Sequence, residues 1–232
     1  MQQLVLDLAA PDPPSFANFV PGPNAEALAV LARLADGDCA ESGVVIWGAS
    51  GSGKTHLLRA AVARALTTGR SALYVADPGV LAAADPQSLA QHELVAVDAV
   101  DAASADAQAR LFSLYNSLRA RGGRLLAASL APPSTLSVRE DLRTRLGWGL
   151  VFEVVPLTDA EKPAALVAWA RQRGFGLGDE VIRYLLAHGK RDMRSLLATL
   201  AALDGHSLAS KRPITVPLLK DWIQRDFGLE RR

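Results

Sequence analysis

Gly48-Ala49-Ser50-Gly51-Ser52-Gly53-Lys54-Thr55 fits the pattern G-x-x-x-x-G-K-[ST], and its setting decides what the rest of the chain must be. The apolar run Val44-Val45-Ile46-Trp47 before it reads as a buried strand, and Leu57, Leu58, Ala61, Val62 and Ala65 after it recur at helical spacing. A glycine-rich loop between strand and helix lets successive backbone N–H groups point at phosphate oxygens. Lys54 then reaches the outer phosphates and the Thr55 hydroxyl ligates Mg²⁺. The helix that begins there adds the positive end of its dipole. An ordinary glycine-rich turn would satisfy the letters of the pattern but not its surroundings, so a phosphate-bearing nucleotide is the expected ligand.

Working outward, the chain repeats strand and helix. Residues 72–76 read as a second strand, and Leu94-Val95-Ala96-Val97-Asp98 as a third that ends in an acid. In a P-loop protein that carboxylate is expected beside the Mg²⁺, and its position one strand and crossover after the second strand favours this over a strand that merely ends in aspartate. A helix over about 106–121 places Leu111, Leu114, Tyr115 and Leu118 on one face, Arg124–Ser129 follows as the fourth strand, and 150–155 as the fifth. Ser137-Val138-Arg139-Glu140 has the form of a capping box that opens a helix carrying Arg143 and Arg145. Strands separated by helices predict an α/β fold with a parallel, doubly wound sheet of five strands. Its ligand lies at the carboxyl ends of the strands, where the P-loop, Asp98 and Ser129 converge.

The pattern changes at both ends. Beyond Pro156 it is helical only: a second capping box, Thr158-Asp159-Ala160-Glu161, starts a helix to about 173, with others expected over 179–187, 193–208 and 216–227. Asn24 is the expected N-cap of a helix that begins at Ala25. The expected domains are a tail and linker over 1–14, a nucleotide-binding α/β domain over 15–156, and a small α-helical lid over 157–232. In the tail, Leu4, Leu6 and Leu8 alternate after Gln3, so an extended peptide would show all three on one side to a groove on another protein. From the residues alone, an edge strand of the chain's own sheet or an unordered tail is the simpler reading.

Bulk properties narrow the classes. With 232 residues, half of them apolar, the chain can bury a large core and a smaller second one. A net charge of +1 gives no sign of a polyanionic partner, so DNA binding by this chain alone is not implied. The single cysteine, Cys39, excludes an internal disulfide and reads as a small hydrophobe. With no secretory leader and no apolar run of membrane-spanning length, a cytoplasmic location is expected. No fixed-period repeat is present.

A P-loop core followed by a helical lid resembles the layout of AAA+ proteins, and four stretches resemble the bacterial initiator DnaA and its relative Hda in particular. Phe16-Ala17-Asn18-Phe19-Val20-x-Gly22 looks like the family's N-terminal box, which packs near the adenine, and Gly53-Lys54-Thr55-His56-Leu57-Leu58 like its P-loop and following helix. Arg143-Thr144-Arg145-Leu146-Gly147-Trp148-Gly149-Leu150 resembles its arginine-finger box, and Asp192-Met193-Arg194-Ser195-Leu196 its sensor 2 helix. The sequence stops soon after the last expected lid helix, and no helicase-contact domain precedes Phe16, so the resemblance is to the Hda family rather than to an initiator with a DNA-reading domain. That family's tail, of the form Q-L-x-L-x-L, docks on the DNA polymerase sliding clamp, and Gln3, Leu4, Leu6 and Leu8 match it.

The resemblance implies that the protein binds ADP or ATP with Mg²⁺, reaches DNA only through the clamp, and stimulates hydrolysis of ATP held by DnaA. Arg145 would be the finger acting in trans; by spacing alone it would pair with Glu140 or Asp141. Arg194 would sense the phosphates in cis; otherwise it is a solvated helix arginine. The implied nucleotide-contacting set is Phe19, Val20, Gly48 to His56, Asp98, Ser129 and Arg194, with Thr55 and, through water, Asp98 on the metal. Two departures from the AAA+ pattern predict weak or no hydrolysis by the chain itself. Ala99 stands where a second acid usually follows the Walker B aspartate, and Leu130 follows the sensor 1 serine, Ser129. The alternatives are an autonomous AAA+ ATPase of the helicase-loader kind and, behind it, a DNA-binding initiator fragment; self-association is left open.

Overall fold

Strands buried on both faces need helices on both sides, and that requirement shapes the N-terminal two thirds of the chain. The computed structural model describes residues 13–189, 192–210 and 212–220. These divide into two compact units, one spanning Pro13–Pro156 and a helical one that begins at Leu157. The first holds the strands β1 (Gly43–Trp47), β2 (Ala72–Val75), β3 (Leu94–Val97), β4 (Arg124–Ser129) and β5 (Leu150–Glu153) in the order β2-β3-β4-β1-β5. All neighbouring pairs are parallel. Strand β1, between β4 and β5, therefore delivers its C-terminal loop between the ends of those two strands, the place where open parallel sheets bind ligands.

Side chains alternate between two cores. Val45, Val95, Val97, Leu125 and Ala127 face one, built with α4 (Ala105–Ala120) and α5 (Glu140–Leu146) through Leu111, Leu114, Leu118, Leu142 and Leu146. Val44, Ile46, Leu94, Ala96, Leu126 and Ala128 face the other, built with α1 (Ala25–Asp36) and α2 (Lys54–Thr67) through Leu31, Leu34, Leu57 and Leu58. The period of two makes each continuous apolar run serve both faces. A short α3 (Pro86–Leu89), capped by the Asp85 carboxylate, joins β2 to β3.

Three helix starts differ from the sequence expectation. Asn24 occupies the N-cap position of α1 without capping it. Its buried side-chain amide instead donates to the Val155 carbonyl (2.9 Å) and accepts from the Val155 N–H (2.8 Å), standing in for a peptide group of a neighbouring strand. The Ser137 box does not form: α5 begins after Arg139 with no side-chain cap, and Asp141 pairs with Arg139. In the Thr158 box, Glu161 accepts from the Thr158 N–H and hydroxyl, and the hydroxyl so engaged caps nothing.

The helical unit comprises α6 (Lys162–Gln172), α7 (Asp179–His188), α8 (Met193–Ser210) and a helical stretch over 216–220. Leu166, Trp169, Ile182, Leu185, Leu196, Leu200, Leu218 and Leu219 form its core. Asp192 caps α8 by accepting from the Ser195 N–H at 2.9 Å. The remainder of the helix expected to 227 lies outside the described residues, as does the tail with Gln3, Leu4, Leu6 and Leu8. Among the described residues no helix is long and apolar enough to cross a membrane.

Candidate nucleotide site and arginine corner

The loop from Gly48 to Gly53 is built by its glycines. Gly48, Gly51 and Gly53 have φ of 151°, 78° and 106°, the region open to residues without a Cβ. At Gly48 a Cβ would collide with the Val154 carbonyl just beyond β5, while the Gly48 N–H donates to the Ser129 carbonyl at the end of β4 (3.2 Å). Three strand ends thus meet at the start of the loop. Ala49, Ser50 and Gly51 are exposed and nothing lies within 4 Å of where a Gly51 Cβ would be, so the tip of the loop opens outward. The Ser52 hydroxyl is buried with no hydrogen-bond partner.

Lys54 donates to the Gly48 and Ala49 carbonyls at 2.6 and 2.8 Å. Burial pushes its pKa down, against the attraction of Asp98 and Asp101, which holds it up. The buried Asp98 lies just past β3; its Oδ2 accepts from the Thr55 hydroxyl (2.7 Å) and from the Tyr74 phenol (3.0 Å), and its Oδ1 from the Ala99 N–H (2.9 Å). Ala99 makes this turn at φ 47°, a conformation uncommon outside glycine. Ser129 is buried and its hydroxyl donates to the Ala131 carbonyl (2.7 Å).

The N-terminal box reaches the same loop. A Cβ on Gly53 would stand 2.7 Å from the Phe19 ring, which also packs on His56 at 5.6 Å between centroids. His56 Nε2 lies 2.9 Å from the Ser15 carbonyl. Val20 is half-buried beside this cluster in sequence. Open backbone, an orphaned buried hydroxyl, a lysine over loop carbonyls and a paired hydroxyl and carboxylate together suit a phosphate chain with Mg²⁺, an ion that keeps most of its ligands as water and phosphate oxygen. Among the described residues no group of three or more His, Cys, Asp or Glu side chains could hold a metal by itself.

Two contributors are given no role in the sequence reading. Tyr74 points at Asp98 because β2 pairs with β3, with Tyr74 opposite Ala96, and that neighbour relation leaves no local trace in sequence. Asp101 accepts from the Leu130 N–H at 3.0 Å, tying the loop after β3 to the loop after β4. Asp98 therefore sits in a small network with Thr55, Tyr74 and the Ala99 N–H rather than as a lone acid.

Arg145 occupies a different corner, on α5. Its guanidinium carbon sits 3.9 Å from the Trp148 ring centroid and 5.7 Å from that of Phe112 on α4. Asp141 is taken by Arg139 at 2.8 Å, and no carboxylate among the described residues pairs with Arg145. Trp148 is 56% exposed and also carries Arg119 at 5.5 Å. Arg194, in the helical unit, is an exposed residue of the first turn of α8.

Residues 159–223 match the family model described as "Hda, lid domain". The structure is similar to AMPPCP-bound DnaA from Aquifex aeolicus (TM-score 0.71, 23% identity, covering 85% of this chain and 67% of that one). It is also similar to domain III of DnaA from Thermotoga maritima (TM-score 0.72, 21% identity, 92% of this chain and 98% of that one). The Holliday junction branch migration motor RuvB of the same organism follows at a TM-score of 0.61 and 17% identity, over 90% of this chain and 70% of that one. The fold is thus the one found in DnaA and RuvB, and the sequence over residues 159–223 matches the lid domain of Hda.

Proposed function

We propose that this protein regulates initiation of DNA replication in the cytoplasm by stimulating hydrolysis of ATP bound to DnaA. An adenine nucleotide, ADP or ATP with Mg²⁺, is held by the loop of Gly48 to Thr55 with His56, Phe19 and Val20 at its N-terminal side. Thr55 and, through water, Asp98 serve the metal, and Ser129 and Arg194 serve as sensors. DnaA from Aquifex aeolicus was solved with AMPPCP, which supports an adenine nucleotide for this fold. The metal supplies charge neutralisation between phosphate oxygens when bound. The chain's own residues position and enclose; none of them is placed to take a proton from water at Ala99.

The observation that carries the reading is Arg145: its guanidinium lies on an exposed aromatic ring and no carboxylate among the described residues neutralises it. Its five N–H donors suit phosphoryl oxygens. Presented to the nucleotide of ATP-bound DnaA, it stabilises charge developing on the transferring group, an effect of roughly 10³–10⁵ in rate for a finger supplied in trans. The tail residues Gln3, Leu4, Leu6 and Leu8 dock on the sliding clamp, with leucines filling a groove and Gln3 fixing register. DNA enters only through the clamp.

The second reading, an autonomous ATPase of the helicase-loader kind, keeps one observation in its favour: Asp101 places a carboxylate within electrostatic reach of Lys54. One assay separates the two. Hydrolysis of DnaA-bound ATP is measured with clamp loaded on DNA, for the wild-type chain, for Arg145→Ala, and for a variant with Gln3, Leu4 and Leu6 all changed to alanine. The regulatory reading expects loss in both variants. Fast ATP turnover by the purified chain without DnaA, untouched by Arg145→Ala, points to the autonomous enzyme instead.

A further inference from the structure

We propose that Trp148 is a positioning residue for Arg145, its exposed indole fixing the guanidinium before the partner's phosphates arrive. The inference rests on the regulatory reading above. A tryptophan this exposed forgoes the burial that its large ring would gain in a core, so core packing does not explain it. What the ring does contact is cationic: Arg145 at 3.9 Å and Arg119 at 5.5 Å. Among the aromatic side chains indole attracts a cation most strongly, and a guanidinium is the cation most often found over such a ring.

The ring is itself placed by backbone. The Trp148 N–H donates to the Arg145 carbonyl at 3.2 Å, and the Gly147 N–H to that of Arg143 at 3.1 Å, closing α5 directly under the indole. On the other side Gly149 packs so tightly on the Gly43 carbonyl that a Cβ there would overlap it. The platform is thereby anchored to the first residue of β1. Arginine has many rotamers to lose on being fixed, and a ring beneath its planar head takes that loss in the free chain rather than in the complex.

Two guanidiniums on one ring, with no carboxylate pairing either among the described residues, also repel each other. An incoming polyphosphate relieves that repulsion, so the corner favours an anionic group from another molecule over any partner of the chain itself.

The experiment titrates each variant against DnaA–ATP and clamp-loaded DNA and reads two quantities, the maximal stimulated rate and the half-saturating concentration. For Trp148→Ala the maximal rate is expected to fall about tenfold with the half-saturating concentration unchanged, and Trp148→Phe to recover to within about threefold of wild type, the span between a lost and a weakened stacking platform. A Trp148→Ala effect on half-saturation alone would mark a docking residue and overturn the proposal, as would no effect on either quantity. An independent reading uses the free chain: indole ring current should shift the Arg145 Hδ resonances upfield, and Trp148→Ala should abolish the shift. Ordinary Hδ positions in the wild type overturn the stacking whatever the assay shows. If Arg145→Ala is as active as wild type, the regulatory reading falls first and this inference with it; loss on Arg145→Ala with full activity in Trp148→Ala removes only the inference.

Discussion

The nucleotide loop and the arginine corner belong to the same unit and treat positive charge in opposite ways. Lys54 is half-buried and donates to two carbonyls of its own loop; burial lowers its pKa, and the attraction of Asp98 and Asp101 offsets only part of that. Arg145 rests on a ring open to solvent, has no carboxylate partner among the described residues, and shares its platform with a second arginine. A cation already satisfied inside its own fold is suited to retaining a ligand. One left unsatisfied at the surface is suited to acting on something brought to it.

The widest separation between the two regions should come from Arg145→Ala. Stimulated hydrolysis of DnaA-bound ATP is expected to drop by about 10³ or more, while the chain's own nucleotide affinity stays within about twofold. Equal losses in both measurements would merge the corner with the cradle and break the contrast. Lys54→Ala is the converse. Nucleotide affinity by titration calorimetry should fall about a hundredfold, the order expected when one side of a partly buried charge-assisted contact is removed.

Asn24→Ala tests whether the cradle depends on its scaffold. It leaves the Val155 N–H and carbonyl without their partner, so chemical denaturation should show a loss of about 2–3 kcal/mol. Arg145-dependent stimulation by the molecules still folded should be retained. The smallest effect is on pH. Because burial lowers the Lys54 pKa and phosphate binding needs its charged form, nucleotide affinity should decline as pH rises through that lowered value, earlier than for an exposed lysine. An affinity flat through the alkaline range would place Lys54 away from the phosphates. The Arg145 contribution to the maximal rate should not follow this decline, since a guanidinium keeps its proton throughout.

Much of the architecture was legible because it is written in local periodicity. The strand Arg124–Ser129 has the predicted bounds and the other four lie within a residue or two of theirs, since buried parallel strands need continuous apolar runs that nothing else in the chain imitates. The shape of the Gly48–Gly53 loop was legible for a related reason: its positive-φ glycines and Lys54 are contiguous in sequence. Capping was read less well. Asn24, Ser137 and Thr158 have the right side chains at the right spacing, yet a side-chain amide or hydroxyl takes whichever backbone group tertiary structure leaves open, and for Asn24 that group is 131 residues away. The contacts of Tyr74 and Asp101 were not foreseen because strand order, not spacing, brings them to Asp98 and Leu130. The stacking of Arg145 on Trp148 lay within a quoted motif; spacing offered Glu140 and Asp141 as partners and gave no weight to the ring.

The Asn24 amide has a consequence for the freedom of the chain where it leaves the first unit. With both polar groups of Val155 held, the peptide plane that joins it to Pro156 is fixed in orientation. The proline ring then locks the next φ. The last turn of backbone in this unit is thus held by one side chain from 131 residues earlier in the sequence, so its direction is set by Asn24 and not by the sheet alone.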